Sequence, residues 1–410
     1  EPQEAAEPEE GARLFERLPL ELWAEEAALH PGLAADTEER FFGLPQQAES
    51  VIADAVERIE RCAKVCVAPS ATVHAFGSTV NGFGEKTSDL DVLVAVDEQE
   101  LTYYLSFVHW HQKGRRYAEA QRRSDGVAAR APRALEPHLA AVSPKGAMSC
   151  AVQQLTDFLP EHGFEVVRSL PNARRPLVTL ADRDGQLDEI DVSINNRLPL
   201  CNSRLLRSYS MLDDRVRPLV LLVKNWAKRM QVCGANEGNL SSYAWTIMVV
   251  YFLQLAGILP SLQVLADSSS TVQDINYWGQ PCEFDTSFLG AEEYLARRAA
   301  EGGAANDGFT MAHLVFGFFH FFCRAYRWGR GDLQSEVVSI RCADRRRADP
   351  WFLLYGKAHP EPGLHVEDPI ELRDLNIVLR RERLAQLKAE LARADSLLAG
   401  GGSLEELLSA

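Results

Sequence analysis

The 410-residue chain has no run of about 18 apolar residues, so no membrane-spanning helix is expected. It has no CxxC pair. Cys62 and Cys66, four apart in the helical pattern VIADAVERIERCAKVC, have no second Cys/His pair at zinc-finger spacing. Eight cysteines scattered without a framework point to reduced, intracellular thiols. A basic excess is also missing. With 58 acids against 43 Lys and Arg, the net charge of −15 argues against a protein that coats nucleic acid non-specifically. The opening EPQEAAEPEE has neither the basic nor the apolar stretch of a secretory signal, and residues 1–35 read as an acidic flexible tail. A cytoplasmic location is expected, or an organelle where a transit peptide precedes these residues. No internal repeat is visible.

What is present is a globular composition, 46% hydrophobic and 25% charged, with length enough for two domains. Residues 36–67 read as an amphipathic helix. VHAFGSTVNGFG is a short strand breaking into a Gly/Ser/Asn turn, and SDLDVLVAVD is an apolar-rich strand. EVVRSL, PLVTLAD and LDEIDVSIN follow as strand-like runs. From residue 204 the pattern turns helical: LLRSYSMLDDRVRPLVLLVKNWAKRM, SSYAWTIMVVYFLQLAG, MAHLVFGFFHFFCRAY and NIVLRRERLAQLKAELARADSLLAG. The division is thus a mixed unit at 68–200 and a mostly helical unit at 201–385, completed by 36–67. Residues 386–410 form a C-terminal helix and tail. Residues 98–150 lack steady periodicity and read as an insertion. Within it, 113–145 carries eight Lys and Arg against three acids, a local +5.

Chemistry concentrates in FGSTVNGFGEKTSDLDVLV. In an extended strand residues i and i+2 share a face, so Asp89 and Asp91 present two carboxylates side by side. Paired carboxylates call for a cation, and hard oxygen ligands suit Mg2+ or Mn2+. The Gly77-Ser78 turn, eleven residues before Asp89, leaves backbone N–H groups and a hydroxyl to hold phosphate oxygens. Two-metal phosphoryl transfer needs one more carboxylate. Asp191 in LDEIDVSINN supplies it, with Asp188 and Glu189 as nearby rivals. Lys224 and Lys228 in VKNWAKR are four apart, which puts two ammonium groups on one helix face, as a polyanion site requires.

Together FGS, DLDV, IDVSINNRLPLCNSRLL, LVLLVKNWAKR, LSSYAWTIMVVYFLQ, ILPSLQ, FGFFHFF and VEDPIEL resemble the poly(A) polymerase and terminal uridylyltransferase family, within the DNA polymerase β-like nucleotidyltransferases. The likeness runs over about residues 40–385. It implies an α+β fold: a polymerase β-like palm, a mostly helical PAP-associated domain, and a nucleotide cleft between them. It implies that Asp89, Asp91 and Asp191 hold two metal ions, Mg2+ or Mn2+, and that Gly77, Ser78, Lys224 and Lys228 hold the triphosphate. Asn202 and Ser203 match residues near the sugar, and Ser242 and Tyr243 match a phosphate contact and a base-stacking ring. Asp368 and Glu371 match the loop that reads the base edge. The implied activity is template-independent transfer of nucleotides, UMP from UTP first, to RNA 3′-hydroxyl ends.

One departure bears on base choice. Relatives that use UTP often carry a histidine a few residues after the EDP loop, where this chain has Arg373 and Asp374. UTP stays the expected substrate, less strictly than in relatives with that histidine, and RNA adenylyl transfer is the nearest rival. Further rivals are a catalytically inactive RNA- or protein-binding scaffold and an enzyme modifying a small molecule. No RNA-recognition fold or aromatic–basic repeat is evident, so RNA contacts are expected from the cleft, the basic insertion or a protein partner. No membrane partner is expected.

Overall fold

The computed structural model describes residues 31–101, 144–184, 186–275, 280–301, 308–329, 335–342, 344–347 and 363–409. They fall into two compact units, one within 46–80 and 84–203, the other within 31–45, 81–83 and 204–409. Most of the expected insertion, 102–143, lies outside the described residues, and so does nearly all of the basic segment 113–145.

Residues 36–67 form two helices rather than one, α1 (Pro31–Phe41) and α2 (Glu49–Cys66). Gly43 and Pro45 part them, because proline cannot donate to a helix and pushes the residue before it out of helical conformation. Only α1 belongs to the helical unit. α2 lies in the first unit and packs on its sheet through a stripe of Ile52, Ala55, Ile59, Cys62 and Ala63.

That sheet has five strands: β1 (Thr72–Phe76), β2 (Leu90–Ala95), β3 (Phe164–Leu170), β4 (Leu177–Asp182) and β5 (Ile190–Ile194). Their order is β1-β2-β5-β4-β3, with β2 and β5 parallel and every other neighbour antiparallel. Strand alternation sends Leu90, Val92, Val94, Val178, Leu180, Ile190, Val192 and Ile194 to one face, where all are buried. α2 and α3 (Pro144–Phe158) pack on the sheet, so α3 takes up the last residues of the expected insertion. Each of these eight side chains contributes about 1.5–3 kcal/mol on burial, so a one-residue slip of β2, which would expose Leu90, Val92 and Val94, would cost about 5–9 kcal/mol.

The expected helical run after residue 204 also breaks. α4 (Leu198–Leu212) ends where the Asp213 carboxylate accepts the Arg215 N–H and pairs with its guanidinium, and α5 (Val216–Arg229) begins. α6 (Ser242–Leu255) is apolar on all sides and buried from Ala244 onward. Among the described residues no helix is long and apolar enough to cross a membrane. A hairpin of β6 (Thr271–Ile275) and β7 (Pro281–Asp285) precedes α7 (Ala291–Ala300) and α8 (Met311–His320). Trp226 of α5 meets Trp245 of α6 and Phe319 of α8 edge to face, and these rings centre the core. A small sheet of β8 (Glu336–Val338), β9 (Arg346–Arg347) and β10 (His365–Val366) follows.

The chain closes with α9 (Arg381–Ala399) and α10 (Leu404–Leu407), which are no appended tail. Leu387, Leu391, Leu398, Leu404 and Leu407 are buried in the same core as the tryptophans. Leu391→Ala is therefore expected to cost about 2–5 kcal/mol. A urea titration measures it, and a change under 0.5 kcal/mol, typical of an exposed position, would return this helix to the surface.

Candidate active site

Register brings the acids together. β2 and β5 pair Asp91 with Asp191 directly, and Leu90 N–H donates to the Glu189 carbonyl one step earlier. Alternation, carried one residue back past the strand starts, then puts Asp89 and Asp91 beside Glu189 and Asp191, on the face opposite the buried valines and isoleucines. Burial, then the charges of Asp191, Asp89 and Glu189, push the Asp91 carboxyl up to about 7. Burial and the charges of Asp89 and Asp191 also raise Glu189, against the pull of Arg168. Asp188 is exposed in the bend before β5 and is not among the charges that raise Asp91 or Glu189. Asp191 is held by Thr179 of β4, whose hydroxyl donates to Oδ1 at 2.6 Å.

Gly77 closes on this cluster. Its φ is +78°, and a Cβ there would lie 2.1 Å from Asp91 Oδ2, so no side chain fits. The Gly77 N–H donates to Ser203 Oγ at 2.8 Å, and that hydroxyl donates to the Pro199 carbonyl at 2.7 Å. Ser203 therefore fixes the turn. The Ser78 hydroxyl, half-buried, is outside this network. Asn202 is 9% exposed, and its Oδ1 has no hydrogen-bond partner among the described residues. A buried acceptor left open in this way fits a ligand hydroxyl.

The oxygen-only donor set of Asp89, Asp91 and Asp191 fits a hard divalent cation, which would neutralise charge that burial makes costly. Among the described residues no three His, Cys, Asp or Glu side chains stand in ready ligating geometry. The fit rests on donor chemistry and on the crowding at Asp91.

The remaining candidates lie in the helical unit, in two groups. Lys224 is 6% exposed and donates from Nζ to the Phe83 carbonyl at 2.7 Å, whereas Lys228, one turn on, is exposed. The charges of both bear on Cys233, whose Sγ lies 3.3 Å from Ser242 Oγ. Lys224, Lys228 and Ser242 thus gather around one thiol. Burial pushes that thiol up, against the Ser242 hydrogen bond and the two lysines.

The second group surrounds Tyr243. Its buried hydroxyl feels the charges of Asp368, Arg373 and Glu371, and it has no hydrogen-bond partner in good geometry. Asp368 is 1% exposed and accepts the N–H groups of Ile370 and Glu371, which closes the loop. Leu372 follows at φ +54°, a strained value for leucine, and on its far side Arg373 Nε donates to Glu371 Oε2. Asp374 is turned inward. Its carboxylate meets His365 Nδ1 at 2.6 Å and accepts N–H groups from Val366 and Asn376. Of the two residues at the place of the expected histidine, only Arg373 takes part in the group around Tyr243.

A model of the central palm domain of mitochondrial-like poly(A) RNA polymerases matches residues 38–211. Terminal uridylyltransferase cid1 of Schizosaccharomyces pombe is 31% identical over 297 residues, 71% of this chain and 56% of its own length. Poly(A) RNA polymerase GLD2 of Homo sapiens is 26% identical over 287 residues, 67% of this chain and 46% of its own. Residues 38–211 thus carry that family's palm domain, and the chain is similar to both poly(A) polymerases and terminal uridylyltransferases. It spans about half the length of these curated relatives. A crystal structure of the Cid1 poly(U) polymerase bound to MgGTP covers 92% of this chain and 98% of its own, with a TM-score of 0.65 and 23% identity, a likeness of fold.

Two contributors to this family site were not visible in the sequence. Glu189 was seen only as a rival to Asp191, whereas the register makes it a neighbour of all three aspartates. Thr179 carried no signal, since nothing along the chain says which residue of β4 pairs with Asp191.

An acid whose folded pKa lies above its ordinary value destabilises the fold as pH rises, here from about 4 to about 7. Asp91→Asn is therefore expected to raise the thermal midpoint above pH 7 and leave it nearly unchanged below pH 4. The variant should also lose most of the wild type's stabilisation by added Mg2+. Melting scans at both pH values, with and without Mg2+, check this. A lower midpoint for the variant at pH 8 contradicts it.

Proposed function

We propose that this chain transfers nucleoside monophosphates, UMP first, from nucleoside triphosphates to the 3′-hydroxyl of RNA without a template. The observation that carries the reading is the row that sets Asp91 against Asp191 beneath the Gly77 turn. In the reaction the 3′-oxygen bonds to the α-phosphorus, the α–β phosphoanhydride bond breaks, and pyrophosphate leaves with the hydroxyl proton lost to solvent. Asp89, Asp91 and Asp191 would hold two divalent ions, Mg2+ or Mn2+, which when bound supply charge against the attacking and leaving oxygens. The chain's own groups do the positioning. Thr179 aims Asp191, and Ser203, by accepting the Gly77 N–H, fixes the turn beside Asp91. Asn202 Oδ1 awaits a sugar hydroxyl. Lys224, Lys228 and Ser242 offer cations and a hydroxyl to the triphosphate, and the Tyr243 ring offers a stacking surface for any base.

Asp191→Ala is expected to abolish extension of a labelled RNA by each of the four triphosphates, while Asp188→Ala keeps it. The reverse result would make Asp188 the third acid. Failure of the wild type to extend RNA with any triphosphate, in Mg2+ or Mn2+, would leave the inactive scaffold as the better reading.

Base choice falls to the loop at 368–374. Glu371 offers an acceptor to the N3–H of uracil, and Arg373, tied to it, offers a donor to the neighbouring carbonyl oxygen. Adenine has no N–H at the equivalent ring position. A hydrogen bond to a charged group is worth roughly 1.5–3 kcal/mol, so UTP should exceed ATP in kcat/KM by about tenfold to a hundredfold. Glu371→Ala is expected to shrink that ratio. A wild type that prefers ATP is the adenylyl alternative. An unchanged ratio in the variant would place discrimination elsewhere.

A further inference from the structure

The row that holds the acids does not end at Asp191. Register continues it across the sheet from Asp91 to Asp191, to Thr179 of β4, and to Arg168 of β3, the edge strand. Residues paired in this way share a face, so Arg168 stands on the same surface as the acids. Two strand spacings place its Cα about 10 Å from that of Asp191.

Arg168 reaches this place through an irregularity. Val166 pairs with Leu180, and continued alternation would set Val167 opposite Thr179, but the register shifts between Val166 and Arg168. Val167 is left out of the ladder, 62% exposed, and the arginine takes its place in the row. Bulges re-aim side chains in this way and cluster near active sites. The guanidinium is close enough for its charge to bear on Glu189.

We infer that Arg168 is an RNA-binding residue that anchors a phosphate of the primer strand next to the 3′-terminal nucleotide. The inference rests on the RNA-extending reading above. An RNA whose 3′-hydroxyl meets Asp191 brings its backbone onto a surface of four carboxylates in a chain of net charge −15. Ions held by the acids would offset that charge at the 3′-hydroxyl, whereas the phosphate next back needs a cation of its own. Arg168 supplies one at the distance where the next phosphate back would lie, and its forked donors suit a phosphate's oxygens. A charged residue also guards an edge strand against pairing with another chain. Charges and bulges both guard edges, but guarding does not call for an arginine in the row of the acids.

The test is RNA binding by the full chain, followed by fluorescence anisotropy of a labelled oligonucleotide ending in a 3′-deoxynucleotide, across a KCl series. Steady-state extension with UTP runs beside it. Arg168→Gln is expected to weaken RNA binding about tenfold or more. It should lower the slope of log K against log salt by about 0.7, the share of one phosphate on a single strand. The KM for UTP should change less than twofold, and Arg168→Lys should recover most of the slope. Arg61→Gln, on the exposed surface of α2, should match the wild type. If Arg168→Gln leaves the salt slope unchanged in an active enzyme, or changes only aggregation, the anchor is refuted and the activity stands. A wild type that extends RNA with no triphosphate refutes both. Melting scans on both variants separate a misfolded protein from a weakened contact, and Arg168→Lys decides the matter where Arg168→Gln does not fold.

Discussion

Parallel pairing of β2 with β5 forces Asp91 against Asp191, and the rest of the first unit is arranged around that repulsion. Two like charges one strand spacing apart repel by a few kcal/mol at the effective dielectric of a protein surface. A sheet could escape by slipping one residue, which would separate the carboxylates. The same slip would turn over one strand and expose its apolar set, Leu90, Val92 and Val94 for β2, all buried on the opposite face. Burial of three such side chains, at about 1.5–3 kcal/mol each, outweighs the repulsion. The apolar face thus fixes the register, and the register holds the acids in a place they would otherwise leave.

Around the acids the fold uses contacts that add no further charge. Thr179 gives Asp191 a hydroxyl, and Ser203 gives the Gly77 turn an acceptor. Gly77 itself gives room, since any Cβ would fall on the Asp91 carboxylate. Each holds an ionised group or its approach in place while leaving the net charge for a cation to meet. The open Asn202 acceptor belongs to the same scheme. Its unsatisfied oxygen costs stability in the isolated chain and would be repaid on contact with a hydroxyl.

Much of this was legible along the chain, and the limits have physical causes. The Asp89–Asp91 pair, the Gly77-Ser78 turn and Asp191 follow from period-two alternation and turn chemistry, which are local. The break at Asp213 and the parting of α1 from α2 at Pro45 depend on single residues inside patterns that otherwise look continuous. The assignment of α2 to the sheet, and of the last 25 residues to the helical core, depends on what a helix packs against, which periodicity does not record. Cross-strand partners such as Thr179 and Arg168 are set by register between segments far apart. The bulge at Val167 reverses what alternation alone would assign to β3. Asp374 shows the same limit from the other side: it stands where relatives that use UTP often carry a histidine, and its carboxylate is spent on His365 and two backbone N–H groups.

That inward turn changes what the loop presents. A carboxylate at position 374 facing a base would have added a third negative charge beside Asp368 and Glu371. Binding His365 and Asn376 instead, it ties the loop to β10, which pairs with β8. β8 is in turn anchored by Glu336, buried at 2% exposure and satisfied by Tyr251 and Arg345. A buried carboxylate with two partners resists displacement, because losing either would strand a charge in low dielectric. The loop therefore stands on a rigid support, and its strained Leu372 is carried by Asp368 closing the turn from below. In the proposed reading, the part of the loop that would meet a ligand is a tethered pair, the Glu371 acceptor and the Arg373 donor. A pair already bound to each other would lose little side-chain freedom when a base edge arrives, so the discrimination proposed for it would come at small entropic cost.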